Sequence, residues 1–400
     1  MKILMLTPYL PYPLLSGGQI RTYNLLKKLA TKHEITLFAL IKEKSELQYI
    51  PELEKYCKKV KVFKRSKTPF TLKNILQTAF SSYPFLVIRN YVPEAITAIE
   101  EELKSTSYDL IHAETFYMMP HLPVTTVPTI LVEQTIEYLG YESYAQQVKF
   151  APLRHLLKID IAKIKKWETF FWNSCNKLIV MSDEDKSFIA ATLDNPNKID
   201  VVSNGVDSDW FADKERTQPQ EPTILSVGTF KWLPNVEAVT FLVNKVWPLI
   251  KAKVPNARLW IVGNAPTQEV LEFQHKDTSI TVTGGIPDIR DAFCNADVLL
   301  APVFSGKGTR YKILEAMASG TPIVATPTAV EGLGVTNNVE VLTSETAEGL
   351  AKLTISLLED KQQRLRLAKK GRAFVTGQYD WEGISKKLDA IYRQIGATTS

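Results

Sequence analysis

Cysteine and histidine are scarce in this chain of 400 residues, three of the first and five of the second. Cys57, Cys175 and Cys294 are too widely spaced to make a metal-binding pattern, and so few thiols exclude a disulfide scaffold and fit a reduced compartment. The histidines show no ligand spacing either, so no metal is expected. Long hydrophobic runs are also missing; none approaches the roughly 18 residues of a membrane span. The opening Met-Lys-Ile-Leu-Met-Leu-Thr-Pro reads as a buried strand rather than a secretory leader, which makes the cytoplasm the expected location. Gly-x-Gly-x-x-Gly does not follow that strand, which removes the nicotinamide dinucleotide fingerprint. Neither sign of charge dominates: 48 basic residues against 43 acidic give a net +5, a balance that favours anionic partners without naming one. No nucleic-acid motif accompanies the basic stretches, so nucleic acid is not an expected partner.

What is present is the composition of a globular protein, 45% hydrophobic and 23% charged, at a length that suits two or three domains. Short apolar strands are predicted near 2–6, 34–41, 59–63, 108–112, 128–132, 177–181 and 198–202, with helical patterns between them. After the first strand a proline-rich loop ends in Gly17-Gly18, and a helix starts near Gln19. Two glycines there let the backbone approach a ligand closely; a plain loop at a helix start is the alternative. Residues 206–222 are polar and turn-rich and read as a linker between a first domain, 1–205, and a second, 223–377. The second series has strands near 223–228, 257–262, 279–282, 297–301, 322–325 and 339–342, and a helix from Pro234 to about Lys253. Such alternation predicts an α/β fold with two doubly wound parallel sheets, facing each other across a cleft through their strand carboxyl ends. In 378–400, Trp381, Ile384, Leu388, Ile391 and Ile395 mark a final amphipathic helix that either crosses back to the first domain or caps the second.

Residues 302–320, Pro-Val-Phe-Ser-Gly-Lys-Gly-Thr-Arg-Tyr-Lys-Ile-Leu-Glu-Ala-Met-Ala-Ser-Gly, carry the clearest chemistry. A glycine-bracketed loop opens a helix with Thr309 as its N-cap. Ile313, Leu314, Met317 and Ala318 form its apolar face, and Gly320 ends it. Free N–H groups at a helix start suit an anion, most often phosphate. Lys307, Arg310 and Lys312 add positive charge, with Arg310 predicted to point inward. Glu315, one turn on, is placed to accept hydrogen bonds from ribose or sugar hydroxyls. The block reads as a nucleotide-diphosphate or sugar-phosphate site; the alternative is a solvated Lys312–Glu315 pair on a surface helix.

Two stretches interrupt the alternation. From Glu54 to Lys73 there are eight basic residues and one acidic. From Pro152 to Trp172, Leu153, Leu157, Ile161, Ile164, Trp167 and Phe171 trace an apolar stripe flanked by Arg154, Lys158, Lys163, Lys165 and Lys166. Such a helix either rests on an anionic membrane or packs on its own domain with a solvated basic face. His112 ends the strand near 108–112 and is either a cleft residue or a structural one. Glu133-Gln134-Thr135 follows the strand near 128–132 and should face the cleft.

The blocks Ile-Val-Met-Ser-Asp-Glu-Asp (179–185), Val-Val-Ser-Asn-Gly-Val-Asp (201–207), Leu-Ser-Val-Gly-Thr-Phe-Lys-Trp-Leu-Pro-Asn-Val (225–236), Leu-Trp-Ile-Val-Gly (259–263), Val-Thr-Gly-Gly-Ile-Pro-Asp-Ile (282–289) and 306–320, with Gly17-Gly18, run through nearly the whole chain. In these the sequence resembles the retaining GT-B glycosyltransferases of family 4, which include many bacterial cell-surface polysaccharide enzymes. The resemblance implies two Rossmann-like domains, a nucleotide-sugar donor on the second and a glycan or lipid-linked acceptor on the first, with no metal and no cofactor. By the family's pattern Glu315 binds the donor ribose, and Gly263 and the backbone near Ile286 border the nucleoside. Lys307, Gly308, Thr309 and Arg310, with Gly17 and Gly18, hold the diphosphate. The chain departs from the pattern in three places. Lys307 replaces a frequent second glutamate. Thr229 and Pro234 stand where an arginine and a lysine are common, leaving Lys231, or Lys307 with Arg310, to supply that charge. Gln134 takes the place of a histidine thought to touch the donor sugar; it can hydrogen-bond a hydroxyl but cannot carry a proton-coupled charge. Arg310, Lys307 and Gln134 are thus the candidate catalytic residues of a glycosyltransferase. The same departures fit a degenerate, non-catalytic relative that binds a nucleotide or glycan, and an epimerase or phosphorylase on the same fold is a third reading.

Overall fold

The structure, a computed structural model, describes residues 1–305 and 310–397. It forms two compact units, Met1–Asn204 together with the residues from Ile384 onward, and Gly205–Gly383. In the first, seven strands make one parallel sheet: β1 (Lys2–Thr7), β2 (Glu34–Ile41), β3 (Lys59–Lys64), β4 (Leu110–Glu114), β5 (Thr129–Val132), β6 (Lys177–Val180) and β7 (Ile199–Val201), in the order β3-β2-β1-β4-β5-β6-β7. In the second, β8 (Thr223–Val227), β9 (Arg258–Val262), β10 (Ile280–Thr283), β11 (Val298–Ala301), β12 (Ile323–Ala325) and β13 (Leu342–Thr343) follow the order β10-β9-β8-β11-β12-β13. Helices cover both faces, so β1 and β2 are buried on both sides past their first residue. Each sheet reverses its winding once, between β1 and β4 and between β8 and β11. Loops at the carboxyl ends of strands flanking such a reversal are where open α/β sheets bind ligands. Gly17-Gly18 follows β1, Thr229 follows β8, and the 302–310 segment follows β11.

Several sequence expectations shift. The strand predicted at 108–112 runs from Leu110 to Glu114, in register with β1 so that His112 stands beside Met5. Tyr108 and Asp109 instead spend their polar groups locally, the hydroxyl donating to Glu102 and the carboxylate accepting from the Lys2 amide. The strand expected at 339–342 is reduced to Leu342–Thr343, because Asn337 Oδ1 accepts from the amides of Asn338 and Thr343 and closes a turn. The helix predicted from Pro234 to Lys253 begins at Leu233, and Leu242–Val246 adopts a π turn before Trp247–Lys253. Pro248 has no N–H for the ladder and its ring crowds the preceding turn, which the wider turn relieves.

Residues 206–222 are no bare linker. Val206 bridges to Asp380, and Phe211 is buried in the second unit's core. The Arg216 guanidinium donates to the carbonyls of Phe293, Ser319 and Ala296 and to the Thr321 hydroxyl. The final helix, Trp381–Ala397, belongs to the first unit from Ile384 onward. There Asp389 accepts from Lys32 Nζ at 2.8 Å and pairs with His33 at 3.0 Å.

In the helix Ala151–Ser174, Ile161, Ile164, Phe171 and Trp172 are buried and Leu157 and Trp167 pack against the same core, so this part of the stripe serves its own domain. Lys163 does not join a solvated basic face: its ammonium donates to the carbonyls of Thr78 and Ser81 at 2.6 and 2.8 Å. The first turns, with Leu153, Leu156 and Ile159, stay exposed, as does Phe170 near the end of the helix. Among the described residues no helix is long and apolar enough to cross a membrane.

Candidate active site

In the second unit the helix after β11 runs from Tyr311 to Ala318 and buries Ile313, Leu314, Met317 and Ala318, the predicted apolar face. Its N-cap position is Arg310, not Thr309, and the Arg310 side chain makes no capping bond. Lys307, Gly308 and Thr309 lie outside the described residues. Arg310 turns inward as expected: half-buried, it donates from Nη2 to the Thr328 carbonyl at 3.4 Å, and burial holds its pKa below the usual arginine value despite Glu331 nearby.

Lys312 and Glu315 are not a solvated pair. The Lys312 ammonium donates to Asn235 Oδ1 at 2.9 Å, and Asn235 Nδ2 donates to the Thr229 carbonyl at 2.9 Å. This chain ties the helix after β11 to the loop after β8, the two sides of the winding reversal. Burial, then repulsion from Arg310, bring the Lys312 pKa down to about 8, against the pull of Glu315. Burial raises Glu315 to about 7 although Lys312 opposes it. Two cations and a carboxyl thus crowd the first turns of one helix, each denied full hydration. Ionisable groups shifted by burial beside a specific charge partner mark a candidate ligand site, here one suited to opposite charge and hydroxyls.

Gly263 ends β9 against the β8 loop, and a Cβ built there would lie 1.6 Å from the Gly228 carbonyl oxygen. No L side chain fits without moving that backbone. Gly263→Ala is therefore expected to lower stability by about 1–3 kcal/mol, as other overpacked positions do, which urea unfolding would measure. Ile286 packs on the second unit's core, and Lys231 is exposed on its loop, apart from the Thr229–Asn235–Lys312 chain. Among the described residues no group of His, Cys, Asp or Glu is arranged to hold a metal.

In the first unit the helix after β1 starts at Gly17, two residues before the predicted Gln19, and is capped by Ser16, whose side chain accepts from the Gln19 amide. A Cβ on Gly18 would come within 2.6 Å of both Gln134 Oε1 and Tyr9 Oη. Gln134 Nε2 donates to Tyr9 Oη and to Glu114 Oε2, each at 2.7 Å, which leaves Oε1 as the acceptor lying over the Gly18 backbone. The network continues inward. Glu114 Oε1 meets His112 Nε2 at 3.0 Å, and His112 Nδ1 meets the Tyr392 hydroxyl at 2.6 Å. Burial pushes Glu114 up, yet the His112 bond and charge, with Arg21 and Gln134, outweigh it and leave the carboxyl below its ordinary value. His112 is thus a buried structural residue that anchors the base of the Gln134 support. Glu133 turns away to the Trp172 indole N–H at 3.1 Å; burial and Glu168 raise its pKa well above the usual range.

Sequence reasoning marked Lys312 for its charge but gave Asn235 and Glu114 no role. Glu114 had a signal, because residues two apart on a strand share a face and His112 was already marked. Asn235 lay within a quoted block without a role. Tyr392, 280 residues from His112, had none.

A glycosyltransferase family 4 model matches residues 15–210, and a glycosyl transferases group 1 model matches 221–360. The chain is 26% identical to the sulfoquinovosyl transferase SQD2 of Arabidopsis thaliana, over 51% of this chain and 41% of that protein. It is 28% identical to a phosphatidyl-myo-inositol mannosyltransferase of Mycolicibacterium smegmatis, over 48% of this chain and 51% of the relative. The match thus spans about half or less of those two relatives. The Anabaena protein Alr3699/HepE, solved with UDP and glucose, superposes with a TM-score of 0.66 at 17% identity, covering 98% of this chain and 100% of that one. With two parallel-sheet Rossmann-like domains and family models matched over residues 15–210 and 221–360, the chain belongs to the GT-B glycosyltransferases of family 4.

Proposed function

We propose that this chain transfers a sugar, with retention of anomeric configuration, from a nucleoside-diphosphate sugar to a hydroxyl of a glycan or lipid-linked acceptor. The observation that carries the reading is the half-buried set of Arg310, Lys312 and Glu315 at the start of the helix after β11, backed by Asn235 and Thr229. Glu315 accepts from the ribose hydroxyls, while Arg310 and Lys312 face the diphosphate, with Lys307 in the intervening loop as a further cation. On the first unit, the Gly17 and Gly18 amides at a helix start suit the anionic part of a substrate, and Gln134 Oε1 suits a sugar hydroxyl. In the retaining step the bond from the anomeric carbon to the donor phosphate oxygen breaks while the acceptor oxygen bonds on the same face. The acceptor proton passes to the departing phosphate. No protein base is required, so the enzyme's task is to stabilise negative charge growing on the diphosphate. HepE binds UDP and glucose, and one relative's name specifies a phosphatidyl-inositol acceptor; both support the substrate classes proposed.

A peripheral membrane position for the acceptor is supported by the segment after β3. Phe70, Leu72 and Phe80 are 73%, 73% and 88% exposed among the lysines of 58–73, and Leu156 and Ile159 of the helix Ala151–Ser174 are exposed as well. Exposed apolar groups rimmed by positive charge suit an anionic lipid surface.

Glu315 provides the test of donor binding. Its carboxyl titrates near 7, so it is ionised above that pH and loses its charge below it. Donor affinity is expected to weaken by about tenfold for each pH unit below 7, while Glu315→Gln binds weakly and with a flatter profile. Titration calorimetry of UDP and GDP sugars at pH 6 and 8 measures this; an identical slope in the variant would remove Glu315 from the site.

A further inference from the structure

Arg65 and Arg89 of the first unit have no place in the donor chemistry. Arg65 directly follows β3, its amide donating to the Ile41 carbonyl at the end of β2. Arg89 closes the short helix Phe85–Ile88. Both side chains are half-buried. The Nε of each is shut off from water and has no hydrogen-bond partner, and neither guanidinium forms an ion pair among the described residues. The two are neighbours: burial first, and then repulsion from Arg89, hold Arg65 below the usual arginine value, with Glu46 and Tyr117 opposing. Arg89 also acts on Tyr117 after β4 and on Glu137 and Tyr141 after β5. Five residues thus converge from the carboxyl ends of β3, β4 and β5 and from Arg89's helix.

The charge there does not balance. Two acids answer the pair, Glu46 near Arg65 and Glu137 near Arg89, and burial raises Glu137 to about 7, so near neutrality it carries only part of a charge and the two permanent cations stay in excess. Leaving buried cations without a counter-charge is costly unless something from outside completes the site. An arginine fork accepts two oxygens of a phosphate or carboxylate at once. The chain between the two arginines also carries the exposed apolar face. Phe70 stacks on Phe85, the first residue of the helix that Arg89 ends, with ring centroids 5.1 Å apart. An oxyanion site flanked by Phe70, with exposed Leu72 and Phe80 in the same segment, matches a ligand that joins a phosphate to a hydrocarbon chain.

We propose that Arg65 and Arg89 grip the phosphate of a lipid-linked acceptor whose chain lies along the apolar face of residues 70–80. The assignment rests on the glycosyltransferase reading and specifies its acceptor. The test is titration calorimetry of the full chain with farnesyl phosphate, farnesol, inorganic phosphate and glucuronate, each repeated on Arg65→Gln, Arg89→Gln and the double variant. UDP binding to every protein is the control, and circular dichroism checks folding. Farnesyl phosphate should bind the wild type, weaken by roughly tenfold to a hundredfold in each single variant and fail in the double, with UDP binding unchanged. Arg65→Lys, which keeps the charge but not the fork, should lie between. Farnesyl phosphate that binds the double variant as well as the wild type, or no better than farnesol, overturns the proposal. Glucuronate or inorganic phosphate binding as tightly as farnesyl phosphate overturns the lipid assignment. Absence of UDP binding in the wild type would instead count against the donor site, a separate outcome from the arginine result.

Discussion

Replacing Arg310 with alanine is expected to lower kcat by about thirtyfold to a thousandfold, a loss of roughly 2–4 kcal/mol of transition-state stabilisation. The nucleoside diphosphate gains charge as the glycosidic bond breaks, so a fixed cation matters more at that moment than in the ground-state complex. Donor KM should therefore change much less than kcat. Arg310 is suited to this role because its side chain is already held inward, donating to the Thr328 carbonyl, and loses little freedom when the substrate arrives. Arg310→Lys keeps the charge without the planar fork and should recover only part of the rate. Steady-state kinetics with a nucleotide-sugar panel settles the matter; a variant with unaltered kcat would show that the diphosphate departs elsewhere.

Glu114→Ala should be the most damaging single change to the first unit, costing about 3–5 kcal/mol. The carboxylate is fully buried and joins His112 to Gln134, and through His112 it connects to Tyr392 of the final helix. Its removal takes a partner from two polar groups, His112 and Gln134. By calorimetry the melting temperature of this unit should fall by about 10 °C. Tyr392→Phe removes one hydrogen bond and should cost only about 1 kcal/mol. The pH dependence has a defined sign. Because the folded state holds the Glu114 carboxyl below its ordinary value, its contribution is complete above about pH 4.5 and disappears as pH falls through the lower folded value. A Glu114→Ala protein that melts like the wild type would mean that Gln134 is positioned by something else.

Much of the candidate site in the second unit was readable because it is local. The apolar face of Tyr311–Ala318 and its stop at Gly320 follow from helical spacing and one glycine, and Glu315 falls where the helix period puts it. The first helix and the glycine pair followed from a loop and a period change. Less readable were boundaries set by pairing: β4 extends to Glu114 because β5 pairs with it that far, with Glu114 beside Val132. Lys163 looked like part of a basic surface because charge alone does not show that two carbonyls of another helix lie within reach.

The amino-acid order by itself determined two successive series of strands and helices and the apolar face and glycine stop of the helix after β11, because periodicity, glycine placement and helix ends act over a few residues. Tertiary structure alone decided that Lys312 reaches Asn235, that His112 is held by Tyr392, and that Arg65 and Arg89 come close enough to repel, each with its Nε unpartnered. Those relations join residues distant in sequence, and a buried polar group takes whichever partner the packed chain brings within about 3 Å.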